Sequence, residues 1–224
     1  MRKILKSQNP RYLVLETDAF YREYDLADAV DNALEQLIPA LRYHHRWRYL
    51  TEEDFTLTPA ANHRNILKGF VRPNREIQSA DATGYMAPSD ASEPIPALAR
   101  IQIRRIHRLC KRSNTELILM STPSTLNWST QKHNAVSALA QELGLIYLDL
   151  NRMPEEVPID WNTDTWDGGD HLNLYGSNKV SAFCGRYFAD RGLPDHRGDP
   201  AWAHWEEDWK SCYGRIESAN SERN

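Results

Sequence analysis

Four carboxylates and an imidazole fall within one short stretch of this chain: Asp160, Asp164, Asp167 and Asp170 lead into His171. A histidine beside a carboxylate is the minimal general base, because the carboxylate fixes the ring tautomer and stabilises the imidazolium formed on proton abstraction. Gly168 and Gly169 separate Asp167 from Asp170-His171 and let the backbone turn tightly enough for an acid to fold back onto the ring. Two other chemistries fit the same residues. Asp160, Asn162 and Asp164 have the spacing of the first, third and fifth ligands of a calcium loop, but Thr165 replaces the sixth-position glycine and His171 the twelfth-position glutamate. Alternatively, the aspartates cap backbone N–H groups in a structural turn.

Such a loop must be held by regular elements, and the apolar pattern supplies them. Arg11–Glu16, Glu116–Thr122 and Leu145–Leu150 read as strands, the second stopped by Pro123. Helical spacing recurs in Leu26, Val30, Leu34 and Leu41, with Pro39 expected to kink or end that helix. It recurs again from Leu98 to Cys110 and from Val136 to Leu143, the latter closed by Gly144. A further helix runs from Gly176 to Arg191, ended by Gly192 and Pro194. Residues 43–92 are polar, aromatic and irregular, and read as a long insertion with short helices. Strands alternating with helices give βαβ units and a parallel sheet covered on both faces. Ligands then lie beyond the carboxyl ends of the strands. Thr17-Asp18, Ser121–Trp128 and the loop Asn151–Asn173 are the three places that qualify. After residue 193, Trp202, Trp205 and Trp209 make an amphipathic helix, packed on the domain or docked to another chain.

The net charge of -4 argues against a nucleic-acid partner. The basic stretch from Arg100 to Arg112 has helical apolar spacing and reads as a solvated helix face. Cys110, Cys184 and Cys212 are widely spaced and odd in number, which suits free thiols rather than a disulfide framework or a zinc site. No cofactor is implied. No apolar run approaches a membrane span, so the chain taken literally is cytoplasmic.

Residues 167–180, Asp-Gly-Gly-Asp-His-Leu-Asn-Leu-Tyr-Gly-Ser-Asn-Lys-Val, resemble the last block of SGNH (GDSL-type) hydrolases. The branch most alike is the bacterial membrane-anchored one related to polysaccharide O-acetyltransferases. Gln8–Thr17, Leu117–Pro123 and Tyr147–Asn151 match in order and spacing, so the resemblance covers about residues 5 to 192. It implies a flavodoxin-like sheet in a domain at 1–193, with a C-terminal helix and tail at 194–224. It also implies a Ser–His–Asp triad acting on acyl esters of carbohydrate, by hydrolysis or by acyl transfer. His171 matches the family base. The family acid lies three residues earlier, at Gly168 here, so Asp167 takes its place, with Asp164 and Asp170 as alternatives. Thr17, Asp18, Ser124 and Asn173 are crevice or oxyanion candidates, Asp18 standing where the family has an asparagine.

The family nucleophile comes from a Gly-Asp-Ser-like block after its first strand, and no such block occurs in these residues. Ser121, Ser124 and Ser129 lack the nucleophile-elbow context. The expectation is therefore a truncated domain, its first strand and serine block missing and Met1 falling inside the fold. Such a chain would be incomplete or inactive alone, able at most to deprotonate water. It would expose a sheet edge through which it self-associates or meets a partner chain. By the same resemblance, the complete protein would be membrane-anchored outside the cytoplasm. A non-catalytic binding module on the same fold remains the alternative.

Overall fold

In the computed structural model of the chain, the described residues are Leu5, 8–22 and 75–211. Three parallel strands form the sheet: β1 (Tyr12–Glu16), β2 (Glu116–Ser121) and β3 (Ile146–Asp149), in the spatial order β1-β2-β3. Leu13 pairs with Leu117 and Leu15 with Leu119, while Ile118 pairs with Ile146 and Met120 with Leu148. Among the described residues β1 pairs with β2 alone, and Val14 is 39% exposed.

Among the described residues three helices cover the sheet: α1 (Ala97–Arg112), α2 (Thr130–Leu143) and α3 (Leu174–Asp190). Side chains alternate across a strand, so the sheet feeds two cores. Leu117 and Leu119 face Ile103 and Cys110 of α1 and Val136, Leu139 and Ala140 of α2. Met120 and Leu148 face the opposite way, towards Val180, Phe183 and Cys184 of α3. The result is a mixed α/β unit with helices on both faces. Fully burying a side chain such as Leu119 is worth about 1.5–3 kcal/mol, so β2, apolar on both faces, is the main anchor of the sheet.

The helix ends explain their boundaries. α2 begins earlier than its apolar spacing indicates, because the Ser129 side chain accepts from the Lys132 N–H and caps a first turn of polar residues. Gly144 closes it in the left-handed conformation at φ 64°. Lys111 and Arg112 fall in the last turn of α1, where cations complement the helix dipole. The basic face of α1 is partly paired rather than merely solvated: Arg100 and Arg104 reach Glu142 of α2 at 3.2 and 2.5 Å. At the far end of the sheet, Arg11 donates to the Gly192 and Arg191 carbonyls, and Arg191 pairs with Glu116 at 2.7 Å. These contacts tie the end of α3 to the start of β1 and β2.

The insertion expected at 43–92 is described only from residue 75, and the helix expected around Leu26–Leu41 lies outside the described residues. From 75 to 96 the chain is irregular with one turn at 83–86, and the described part of the expected insertion holds no helix. Cys110 and Cys184 are free thiols, each raised in pKa by burial, while Cys212 lies outside the described residues. Trp202 ends a short 3-10 turn, and the chain is helical from 203 to 211. No helix among the described residues is long and apolar enough to cross a membrane.

Candidate active site

The loop leaving β3 runs to the start of α3 and carries the acids and the imidazole beyond the carboxyl ends of the strands. Its base is a narrow neck. Thr165 and Leu172 form an antiparallel bridge, the Asn173 N–H donates to Asp164 O at 2.9 Å, and Trp166 N–H reaches His171 O. Within the neck, Gly168 and Gly169 take φ of 78° and 110°, a region that side chains other than glycine strain to adopt. The backbone thus doubles back, and Asp167 meets His171 with both of its oxygens. Oδ2 lies 2.6 Å from Nδ1, and Oδ1 accepts the His171 backbone N–H at 2.8 Å.

The pair is asymmetric in exposure. The Asp167 side chain is 22% exposed, and that of His171 is 59% exposed. With a carboxylate on Nδ1, the ring proton sits on that nitrogen, and Nε2 is left as the free lone pair. The Trp166 ring stacks on the imidazole with centroids 5.8 Å apart, limiting its rotation. Asp170 Oδ2 is 3.5 Å from Nδ1, a longer contact, and its other oxygen accepts from the Asn127 side-chain amide. Asn127 therefore steers Asp170 while Asp167 holds the ring. Asp164, the third candidate acid, is directed elsewhere. Its carboxylate pairs with Lys179 at 2.6 Å and accepts from the Asp160 N–H and the Thr163 hydroxyl, with its side chain only 3% exposed.

The crevice candidates separate likewise. Asn173 is a buried N-cap: its Oδ1 accepts from the Tyr175 and Gly176 N–H groups, and its amide donates to the Glu76, Thr163 and Thr165 carbonyls. Every hydrogen of that amide is already used within the fold. Thr17 is fully buried and shares a 2.5 Å hydrogen bond with Ser121, so it too lies below the surface. Ser121 also shares one of 2.8 Å with Tyr147, whose phenol is pushed up in pKa chiefly by burial. Ser124 is buried, donates to Gly169 O at 2.8 Å and accepts the Asn127 N–H at 3.1 Å, so it supports the loop rather than facing a ligand. Asp18 opens a 3-10 turn and lies 3.7 Å from Arg22. Ser129 is the α2 cap.

No protein-family model, curated protein or solved structure matches this chain.

The supports of the loop include residues that periodicity could not reveal. Gln78 N–H donates to Thr165 O, Thr165 Oγ1 to Gln78 O at 2.5 Å, and Ala80 N–H to Trp161 O at 2.8 Å. The segment from 75 to 93 thus straps the loop in place. Asn151 joins the strap to the strand ends: its Oδ1 accepts from the Tyr85 hydroxyl and the Ser124 N–H. Its amide donates to Ser121 O and Thr122 O. The polar composition of 75–93 was the available signal, since a segment without a core of its own must spend its hydrogen bonds on something else.

For metal chemistry, the oxygens of the calcium motif are already engaged. Asp160 Oδ1 accepts from Asn162, a local turn that holds the carboxyl below its usual pKa, and Lys179 already neutralises Asp164. Asp167, Asp170 and His171 do offer ligand atoms within 4.8 Å of one another and could hold a divalent cation.

Proposed function

We propose that the 167–171 loop is the acid–base half of a serine-esterase site, in a domain of SGNH type with a flavodoxin-like sheet. His171 Nε2 is the base, and Asp167 orients and charges it. The substrate is an acyl ester of carbohydrate, whose acyl group passes to water or to a sugar hydroxyl. The observation that carries this reading is the 2.6 Å contact between His171 Nδ1 and Asp167 Oδ2, made by an imidazole that is exposed on its other side. Its position beyond the ends of parallel strands, where α/β sheets place their ligands, adds support.

The nucleophile of this reading belongs to the serine block that this sequence lacks, and Ser121, Ser124 and Ser129, which follow the end of β2, are committed to structural hydrogen bonds. Without that serine the pair can activate only water. The purified chain is then expected to hydrolyse an activated ester such as 4-nitrophenyl acetate slowly, and His171→Ala to lower that rate about a hundredfold. Turnover that ignores His171→Ala, or none at all, overturns the catalytic reading and leaves a binding module.

The cluster of Asp167, Asp170 and His171 favours one second reading, a divalent cation held by the same three side chains. The two differ in one measurement: a chelator leaves turnover unchanged if Asp167 orients a base, and abolishes it if a cation activates the water.

A further inference from the structure

A second Asp–His pair lies outside the loop, at the end of β3. His133 Nδ1 is 2.6 Å from Asp149 Oδ2, matching the first pair in length but set in a different environment. Asp149 is buried, its side chain 4% exposed, and both oxygens are saturated. Oδ2 also accepts Trp128 Nε1 at 3.1 Å, while Oδ1 accepts the Asn151 N–H at 3.0 Å and the Asn151 amide at 2.7 Å. A carboxylate held this firmly keeps the proton on Nδ1 and presents Nε2 away from itself. The imidazole packs against the Tyr147 ring with centroids 5.5 Å apart, which fixes its plane.

Nothing in the proposed ester chemistry uses this pair, yet it borders a cavity of about 440 Å³ between α2 and β3. Ser137 and Gln141 follow His133 at four-residue steps along α2, so all three side chains share one helix face. Leu145 and Tyr147, alternate residues at the start of and along β3, supply an apolar floor. Arg152, just past the strand, completes the lining, and its guanidinium has no hydrogen-bond or ion-pair partner among the described residues. The one acid in the wall is Asp149, whose oxygens are already filled. The groove therefore offers a guanidinium fork, a fixed imidazole, a hydroxyl and a carboxamide above an apolar surface.

We propose that this groove binds a small organic carboxylate, its charged end on Arg152, Ser137 and Gln141 and its apolar body over Leu145 and Tyr147. A guanidinium takes a carboxylate through two parallel hydrogen bonds, which gives the orientation, and the apolar floor gives the preference for an organic over an inorganic anion.

The test is a titration of the full chain, isotopically labelled, with benzoate and separately with benzamide, followed by amide nuclear magnetic resonance. The expected result is saturable shifts at Ser137, Gln141 and Arg152 with benzoate, and binding about tenfold weaker with the uncharged amide. Arg152 is exposed, so Arg152→Gln should leave the spectrum otherwise intact while weakening benzoate about tenfold. Absence of saturable shifts, equal binding of benzamide, or benzoate binding unchanged in Arg152→Gln overturns the proposal, as do shifts confined to the 167–171 loop.

Discussion

Asp167 stands four residues before His171, and the two intervening glycines are what let it reach the ring. Their positive φ angles of 78° and 110° close the turn, and Gly169 is also crowded: an added methyl would collide with Thr125 Oγ1 and lie 2.9 Å from Ala80 Cβ. Gly169→Ala is therefore expected to open the loop at a cost of about 1–3 kcal/mol, with any His171-dependent turnover lost. Thermal unfolding and the ester assay together check it; an alanine variant of unchanged stability and rate would show that the turn does not set the pair. A second residue-scale expectation concerns pH. Glu16 ends β1 and accepts N–H bonds from Thr17, Asp18 and Thr122, but burial outweighs them and raises its carboxyl above the ordinary 4.5. A raised carboxyl favours its protonated form in the folded state. Its stabilising contribution is thus fully present below pH 4.5 and is lost as pH rises through the raised value. Glu16→Gln keeps an acceptor oxygen without the charge and is expected to flatten that part of the stability profile. Urea unfolding at pH values on either side of the window measures it, and an unaltered profile would assign the dependence to other groups.

The elements were largely legible in the sequence, and their supports were not. The three strands and three helices follow from runs of Leu, Ile and Val bounded by Pro and Gly, because burial against a sheet leaves a periodic trace. Helix starts were less legible: α2 opens at Thr130, where a polar first turn depends on the Ser129 cap rather than on apolar spacing. The family resemblance makes Asn173 a crevice candidate. In the structure it caps α3 and donates to three carbonyls, one of them that of Glu76, 97 residues away. The strap at 75–93, Asn127 against Asp170, and His133 against Asp149 escape a sequence reading for the same reason, since contacts between distant residues leave no period. At this scale Asn173→Ala is expected to destabilise the protein by about 2 kcal/mol, losing a cap and orphaning buried carbonyls. Loss of turnover should accompany it, because the neck of the loop starts at this residue. A cost of a few tenths of a kcal/mol in denaturant unfolding would show that water replaces the amide.

For the whole molecule, the two cores meet at β2, whose Leu119 and Met120 point to opposite faces. Leu119→Ala should cost about 2–5 kcal/mol in unfolding free energy, the range for a buried leucine whose cavity collapses only partly. Such a loss bears on every function of the chain equally, so it serves as the control for variants at the site. The sheet carries the loop, the strap clamps it, and α3 anchors its far end; in the proposed reading the Asp167–His171 pair is the point at which this scaffold becomes chemistry. A double-mutant cycle on 4-nitrophenyl acetate hydrolysis with Asp167→Asn, His171→Ala and the double variant tests that claim most directly. Residues acting as one unit are not additive, so the double variant is expected to lose no more rate than His171→Ala alone. Losses that simply add, or rates untouched by either substitution, would contradict the account.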